Sequence, residues 1–134
     1  MQRVVKQKEA VGLGYLTSRE KAALSEFVAR LREKYADQVV LIVLFGSKAR
    51  GDFDEESDLD VLVVVKDGDW RLRDEVALTA FEPMLEYDVV ITPLVIDLEH
   101  YQWLRQYRAP LYRNIRAEGL DLWMRTPALS SASA

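Results

Sequence analysis

The chain contains no cysteine, so neither a disulfide framework nor a thiolate metal site is available to it. It holds a single histidine, His100, which reads as a surface or helix-end residue rather than a ligand. No apolar stretch approaches the roughly 18 residues of a membrane span, and no charged-then-apolar leader opens the sequence. Membrane insertion and secretion are therefore not expected, and the cytoplasm is the default location. A basic surplus is also missing. With a net charge of −4 and a pI near 5.1, the chain lacks the field of a nucleic-acid binder, and direct nucleic-acid binding is not expected. There is no internal repeat and no interdomain linker.

What is present is a soluble globular composition, 49% hydrophobic and 30% charged, over 134 residues. That length suits one domain able to bury roughly two-thirds of its unfolded surface. We expect an N-terminal extension over 1–16, a domain over 17–125 and a frayed, flexible tail over 126–134. Residues Val39 to Phe45 and Leu59 to Val65 are apolar runs rich in β-branched side chains and read as buried strands. Thr17-Ser18-Arg19-Glu20 is a capping box ahead of an amphipathic helix through Lys34. Trp70 begins a second helical pattern that Pro83 should kink or end. A third β-branched run, Asp88 to Ile96, carries Pro93, which suggests an edge strand, a bulge or a break. Asp97 to Tyr107 and Pro110 to Glu118 read as helices, with Asp97 as an N-cap and Gly119 as a stop.

The chemistry sits between the first two strands. The loop opens with Gly46-Ser47 and closes with Asp58-Leu59-Asp60. Asp58 and Asp60 lie two apart at a strand start, so they face the same way with Cα atoms roughly 6–7 Å apart. Like charges at that distance repel by roughly 3 kcal/mol at an effective dielectric of 20. From Asp52 to Asp60 six of nine residues are acidic and none is basic, so the natural counter-charge is a bound cation. Dense oxygen ligands suit magnesium or manganese. An EF-hand is excluded because a loop starting at Asp54 puts Leu59 where the turn glycine belongs. Gly46 has no Cβ to hold off a ligand and Ser47 offers a hydroxyl, a phosphate cradle facing an acidic pair. On this reading Gly46→Val should lose nucleotide affinity while keeping the wild-type melting temperature. Asp88 can join the pair from a neighbouring strand, about 4.8 Å away. Arg50 can neutralise phosphate charge or anchor the loop through Asp52 or Asp54, and Ser57 can order the loop by a local hydrogen bond. Arg105, Arg108, Arg113 and Arg116 make the C-terminal third basic, suiting a phosphate tail, an acidic partner surface or simply a solvated helix face.

Gly46-Ser47, ten residues, then Asp58-x-Asp60 resembles the defining motif of the DNA polymerase β-type nucleotidyltransferase superfamily. The string GSKARGDFDEESDLDVLV, and APLYRNIRAEGLDLW further on, resemble its minimal nucleotidyltransferases, so the resemblance covers roughly Leu41 to Trp123. It implies an α/β (α+β) nucleotidyltransferase core, a short mixed β-sheet with helices packed mainly on one face. It implies ATP as substrate, two magnesium ions held by Asp58, Asp60 and Asp88, and nucleotide binding by Gly46, Ser47, Arg50 and Ser57. With no added domain to hold an acceptor, a partner protein or a homodimer is expected to close the site. The resemblance further implies an antitoxin that silences a HEPN-domain ribonuclease toxin by transferring AMP to a tyrosine. Alternatives are transfer to a small acceptor such as an antibiotic, or a non-catalytic antitoxin acting by contact.

Overall fold

The structure, a computed structural model, describes residues 15–51 and 58–124. Residues 1–14 of the N-terminal extension, the tail, Ser57, and Asp52 and Asp54 as partners of Arg50 lie outside those residues.

Helix α1 (Ser18–Tyr35) starts where the capping box requires: the Glu20 N–H donates to Thr17 Oγ1 at 3.1 Å and the Thr17 N–H to Glu20 Oε1 at 2.8 Å. Strand β1 (Val39–Phe45) leads into a four-residue helical turn, α2 (Ser47–Arg50), and β2 (Leu59–Val65) follows the loop. Next come α3 (Trp70–Leu78), N-capped by Asp69, and α4 (Phe81–Tyr87). The helical pattern breaks at Thr79 and Ala80, before Pro83. Pro83 instead sits in the first turn of α4, where a missing N–H costs nothing. Strand β3 (Ile91–Asp97), α5 (Leu98–Gln106), α6 (Pro110–Glu118) and the two-residue β4 (Leu120–Asp121) complete the order.

The sheet is mixed, in the order β3-β2-β1-β4. β1 runs antiparallel to β2 and β4, and β3 runs parallel to β2. The Leu59 N–H donates to the Val90 carbonyl at 2.9 Å. In a parallel ladder this turns the backbone of residues 90, 92 and 94 toward β2, and that of Ile91, Pro93 and Val95 outward. Pro93 thus lies on an edge strand with its absent donor on the free side, the one place a strand interior accepts it.

Side-chain alternation divides the core. Ile42, Leu44, Val61 and Val63 meet Leu24, Phe27, Leu31 and Val76 in the larger cluster, under α1, α3 and α4. Val43, Leu62, Val64 and Ile96 meet Leu104 and Ile115 in a smaller one, under α5 and α6. The larger helical layer lies on one face, as the resemblance implies, while α5 and α6 also cover the second. The β1–β2 register pairs Phe45 with Asp60. Phe45 packs in the smaller cluster, so Asp60 opens on the α5–α6 side of the sheet.

Candidate active site

Asp60 sits at the end of the β1–β2 ladder, partly buried, with Gly46 directly alongside. Gly46 has φ +84° and ψ −162°, a region open essentially to glycine alone. A Cβ built there would lie 2.4 Å from Asp60 Oδ2. Glycine is needed twice over, for its backbone conformation and for the space the carboxylate occupies. The expectation that Gly46→Val leaves stability unchanged is therefore corrected: a side chain here meets Asp60 before it meets any nucleotide.

Burial pushes the Asp60 carboxyl above its ordinary value, the charge of Asp58 pushes it further, and Arg50 pulls it back. The two carboxylates do feel one another, as their spacing requires. Asp58 accepts a hydrogen bond from Thr92 Oγ1 at 3.1 Å, and Thr92 stands opposite Asp60 in the parallel register. Thr92, which sequence reasoning passed over, thus orients one member of the pair from the neighbouring strand. Only the β2–β3 register reveals it.

Asp88 does not take that place. The β-branched pattern predicts strand from residue 88, yet β3 begins at Ile91, and Asp88 is the left-handed C-cap of α4 with φ 57°. Its N–H and that of Val89 both donate to the Met84 carbonyl, a helix stop that aspartate tolerates better than most residues. The side chain is 94% exposed and faces Arg19 at 3.5 Å. Among the described residues no group of three acidic or imidazole side chains is placed to hold a metal. The pair Asp58 and Asp60 still fits magnesium, which keeps several waters and is held by one or two carboxylates together with substrate phosphates.

Two ion pairs hold the loop. Lys48, 2% exposed, sits one residue past Ser47 and places Nζ 2.7 Å from Glu20 Oε2. Glu20 thereby serves both the α1 cap and the loop, a link no local motif announces. Arg50 pairs with Glu118 at the end of α6, 3.3 Å away, while its charge also reaches Asp60. Gly51, at φ +91°, lies against the Tyr15 ring where a Cβ would not fit.

A mixed sheet that sets a glycine-serine turn against an Asp-x-Asp strand is the core of a nucleotidyl-transferring enzyme. The nucleotidyltransferase domain family matches residues 24–118, and the chain belongs to it. A protein of Methanocaldococcus jannaschii named as a protein adenylyltransferase is 38% identical over 104 residues, covering 78% of this chain and 98% of that protein. Among solved structures, a toxin–antitoxin complex with AMP-PNP aligns at TM-score 0.48 and 22% identity over 81% of this chain and 82% of that one. A nucleotidyltransferase of Sulfolobus solfataricus aligns at TM-score 0.47 and 19% identity, over 77% and 78%. No helix among the described residues is long and apolar enough to cross a membrane.

Proposed function

We propose that this nucleotidyltransferase moves AMP from ATP to a hydroxyl of another protein, a tyrosine of a HEPN-type ribonuclease toxin, and acts as its antitoxin. The observation that carries the transfer reading is Asp60, coupled by charge to Asp58, lying against the side-chain-free Gly46. A protein acceptor is supported by the relative named as a protein adenylyltransferase, matched over nearly its whole length. The toxin as acceptor rests on the resemblance of GSKARGDFDEESDLDVLV to minimal nucleotidyltransferases.

In this reading the Gly46 backbone and the Ser47 hydroxyl hold the β- and γ-phosphates, and Arg50 offsets phosphate charge while tied to Glu118. Asp58 and Asp60 would hold magnesium, two ions in the two-metal scheme, with manganese as a substitute. With magnesium bound there, the site would offset the triphosphate charge while the acceptor hydroxyl displaces pyrophosphate in line. Thr92 would hold Asp58 in place through its hydrogen bond. Asp88 is left out of the set because the α4 cap turns it away, so its loss should be nearly silent.

The test is to incubate the toxin with ATP, magnesium and either wild-type protein or a variant, and follow AMP on the toxin by intact mass. Asp58→Asn and Asp60→Asn should each reduce transfer by at least about a thousandfold, and Asp88→Asn by less than about threefold. A large loss in Asp88→Asn would restore it to the site. Toxin that is silenced in the complex, yet unmodified and active once separated, would replace the transferase reading with a contact-only antitoxin.

A further inference from the structure

Between Leu98 and Glu118 there are four arginines and two glutamates, in a chain whose net charge is −4. One of those glutamates, Glu118, is already paired with Arg50. Among the described residues none of Arg105, Arg108, Arg113 and Arg116 lies within ion-pair distance of a carboxylate, and all four are exposed. The topology brings them together. Tyr101 of α5 meets Tyr112 of α6 edge-on, with ring centroids 5.9 Å apart. The charges of Arg105 and Arg116 both reach the Tyr101 phenol. Arg108, Tyr112, Arg113, Arg116 and Ala117 line an open groove of about 350 Å³. Arg108 is fixed at its rim by backbone geometry. It adopts φ 49° as the stop of α5, with its N–H on the Arg105 carbonyl and the Ala109 N–H on that of Leu104.

At the end of α5, Trp103 and the C-cap residue Tyr107, just before Arg108, present two large aromatic rings to solvent. Trp103 is 54% and Tyr107 61% exposed, and their rings lie 5.0 Å apart. Arginine, tryptophan and tyrosine are the side chains that dominate the binding energy of protein interfaces, because each offers broad contact area together with directed polar groups. Asp60 opens toward the α5–α6 layer, and the last groove residue, Ala117, directly precedes Glu118, whose partner Arg50 acts on Asp60.

We propose that the groove of Arg108, Arg113 and Arg116, with the Trp103–Tyr107 pair, is the docking surface for an acidic segment of the acceptor protein. The inference rests on the protein-acceptor reading given above. Three groove guanidinium groups without a carboxylate partner among the described residues select an anionic partner, and the planar fork of arginine suits carboxylates. Nucleic acid is the weaker match, since a long phosphate backbone would also meet the field of an acidic chain with six carboxylates between Asp52 and Asp60.

The experiment uses a fluorescein-labelled random copolymer of glutamate and tyrosine, a lysine–tyrosine copolymer and a single-stranded RNA of matched length. Binding to the full chain is read by anisotropy in EDTA without nucleotide, and AMP incorporation is scored separately by mass with ATP and magnesium. The glutamate–tyrosine copolymer should bind, the lysine–tyrosine copolymer should not, and Arg113→Glu/Arg116→Glu should weaken binding by about tenfold or more. Trp103→Ala should weaken it independently, while Asp58→Asn/Asp60→Asn should retain it. Calorimetry of magnesium–ATP confirms that the arginine variants stay folded, and Arg113→Gln/Arg116→Gln repeats the test without added repulsion. Equal copolymer binding by both arginine variants and wild type, or tighter binding of RNA than of the acidic copolymer, overturns the proposal. AMP transfer that the arginine variants leave unchanged also overturns it and leaves the transferase reading intact. Binding that depends on the arginines, with no AMP on any polypeptide, supports the surface and counts against the protein acceptor.

Discussion

Asp60 is held where burial and Asp58 both oppose its charge, and Arg50 only partly offsets them, so its carboxyl titrates above the range of the unfolded chain. Between the two values the folded state binds the extra proton, and stability therefore falls as pH rises through that window. In EDTA at pH 7, Asp60→Asn should melt above wild type, by no more than about 2–4 °C because the group is largely solvent-screened. The gain should fade by about pH 4, where the unfolded carboxyl is itself protonated. Magnesium should raise the wild-type melting temperature and leave the variant unmoved. Scanning fluorimetry across pH checks each part, and a gain that grew toward acid would contradict the assignment. Next to it, Gly46 occupies a conformation that a Cβ penalises by about 1–3 kcal/mol, before any contact with Asp60 Oδ2 is counted. Gly46→Ala should accordingly lower the melting temperature by roughly 6–10 °C and weaken ATP binding together, rather than affinity alone. A variant with normal stability and lost affinity would return Gly46 to the role read from its sequence.

At the scale of elements, the glycine-serine turn is held from a distance by the N-terminus of α1. Glu20 closes the capping box and receives the buried Lys48 ammonium. Removing one member of a buried ion pair leaves the other charge uncompensated, at about 3–5 kcal/mol. Lys48→Met should therefore be strongly destabilising, whereas Lys48→Met with Glu20→Gln should recover most of the loss, since glutamine can still serve the cap. Urea denaturation of the double-mutant cycle measures the coupling, and a cycle that adds within about 0.5 kcal/mol would show that the pair is not what holds the loop. The same scale explains the misplaced third carboxylate. The run from Asp88 to Ile96 is β-branched throughout, but its first residues complete the stop of α4, and hydrogen bonds to the Met84 carbonyl override strand propensity there.

For the whole molecule, the sheet separates a larger core under α1, α3 and α4 from a smaller one under α5 and α6. Asp60 opens on the smaller side and feels the charge of Arg50, which pairs with Glu118 at the end of α6. Ligand binding there should be felt globally, because α1, β1, β2 and α6 all hold parts of the site. Magnesium–ATP at a hundred times its dissociation constant should add about 2.7 kcal/mol to stability. That corresponds to roughly 5–15 °C for a domain of this size. EDTA should abolish the shift, as should Asp58→Asn/Asp60→Asn. A full shift with EDTA present would remove the metal from the site.

Much of this was legible in the chain itself, because short-range rules act on neighbours in sequence. The strands Val39–Phe45 and Leu59–Val65, the Thr17 cap, the Asp97 cap and the Pro110 start follow from side-chain shape, alternation and local hydrogen bonds. So does the approach of Gly46 to Asp60, since one hairpin connection carries both. Tertiary structure alone decided which distant residues support them. Thr92 meets Asp58 across 34 positions through a parallel register, and Lys48 reaches back to Glu20 through the packing of α1. Arg50 finds Glu118 across 68 positions because α6 returns to the mouth of the sheet. Strand pairing and helix packing depend on the sum of many buried contacts, so residues far apart in sequence become neighbours only once the whole core has closed.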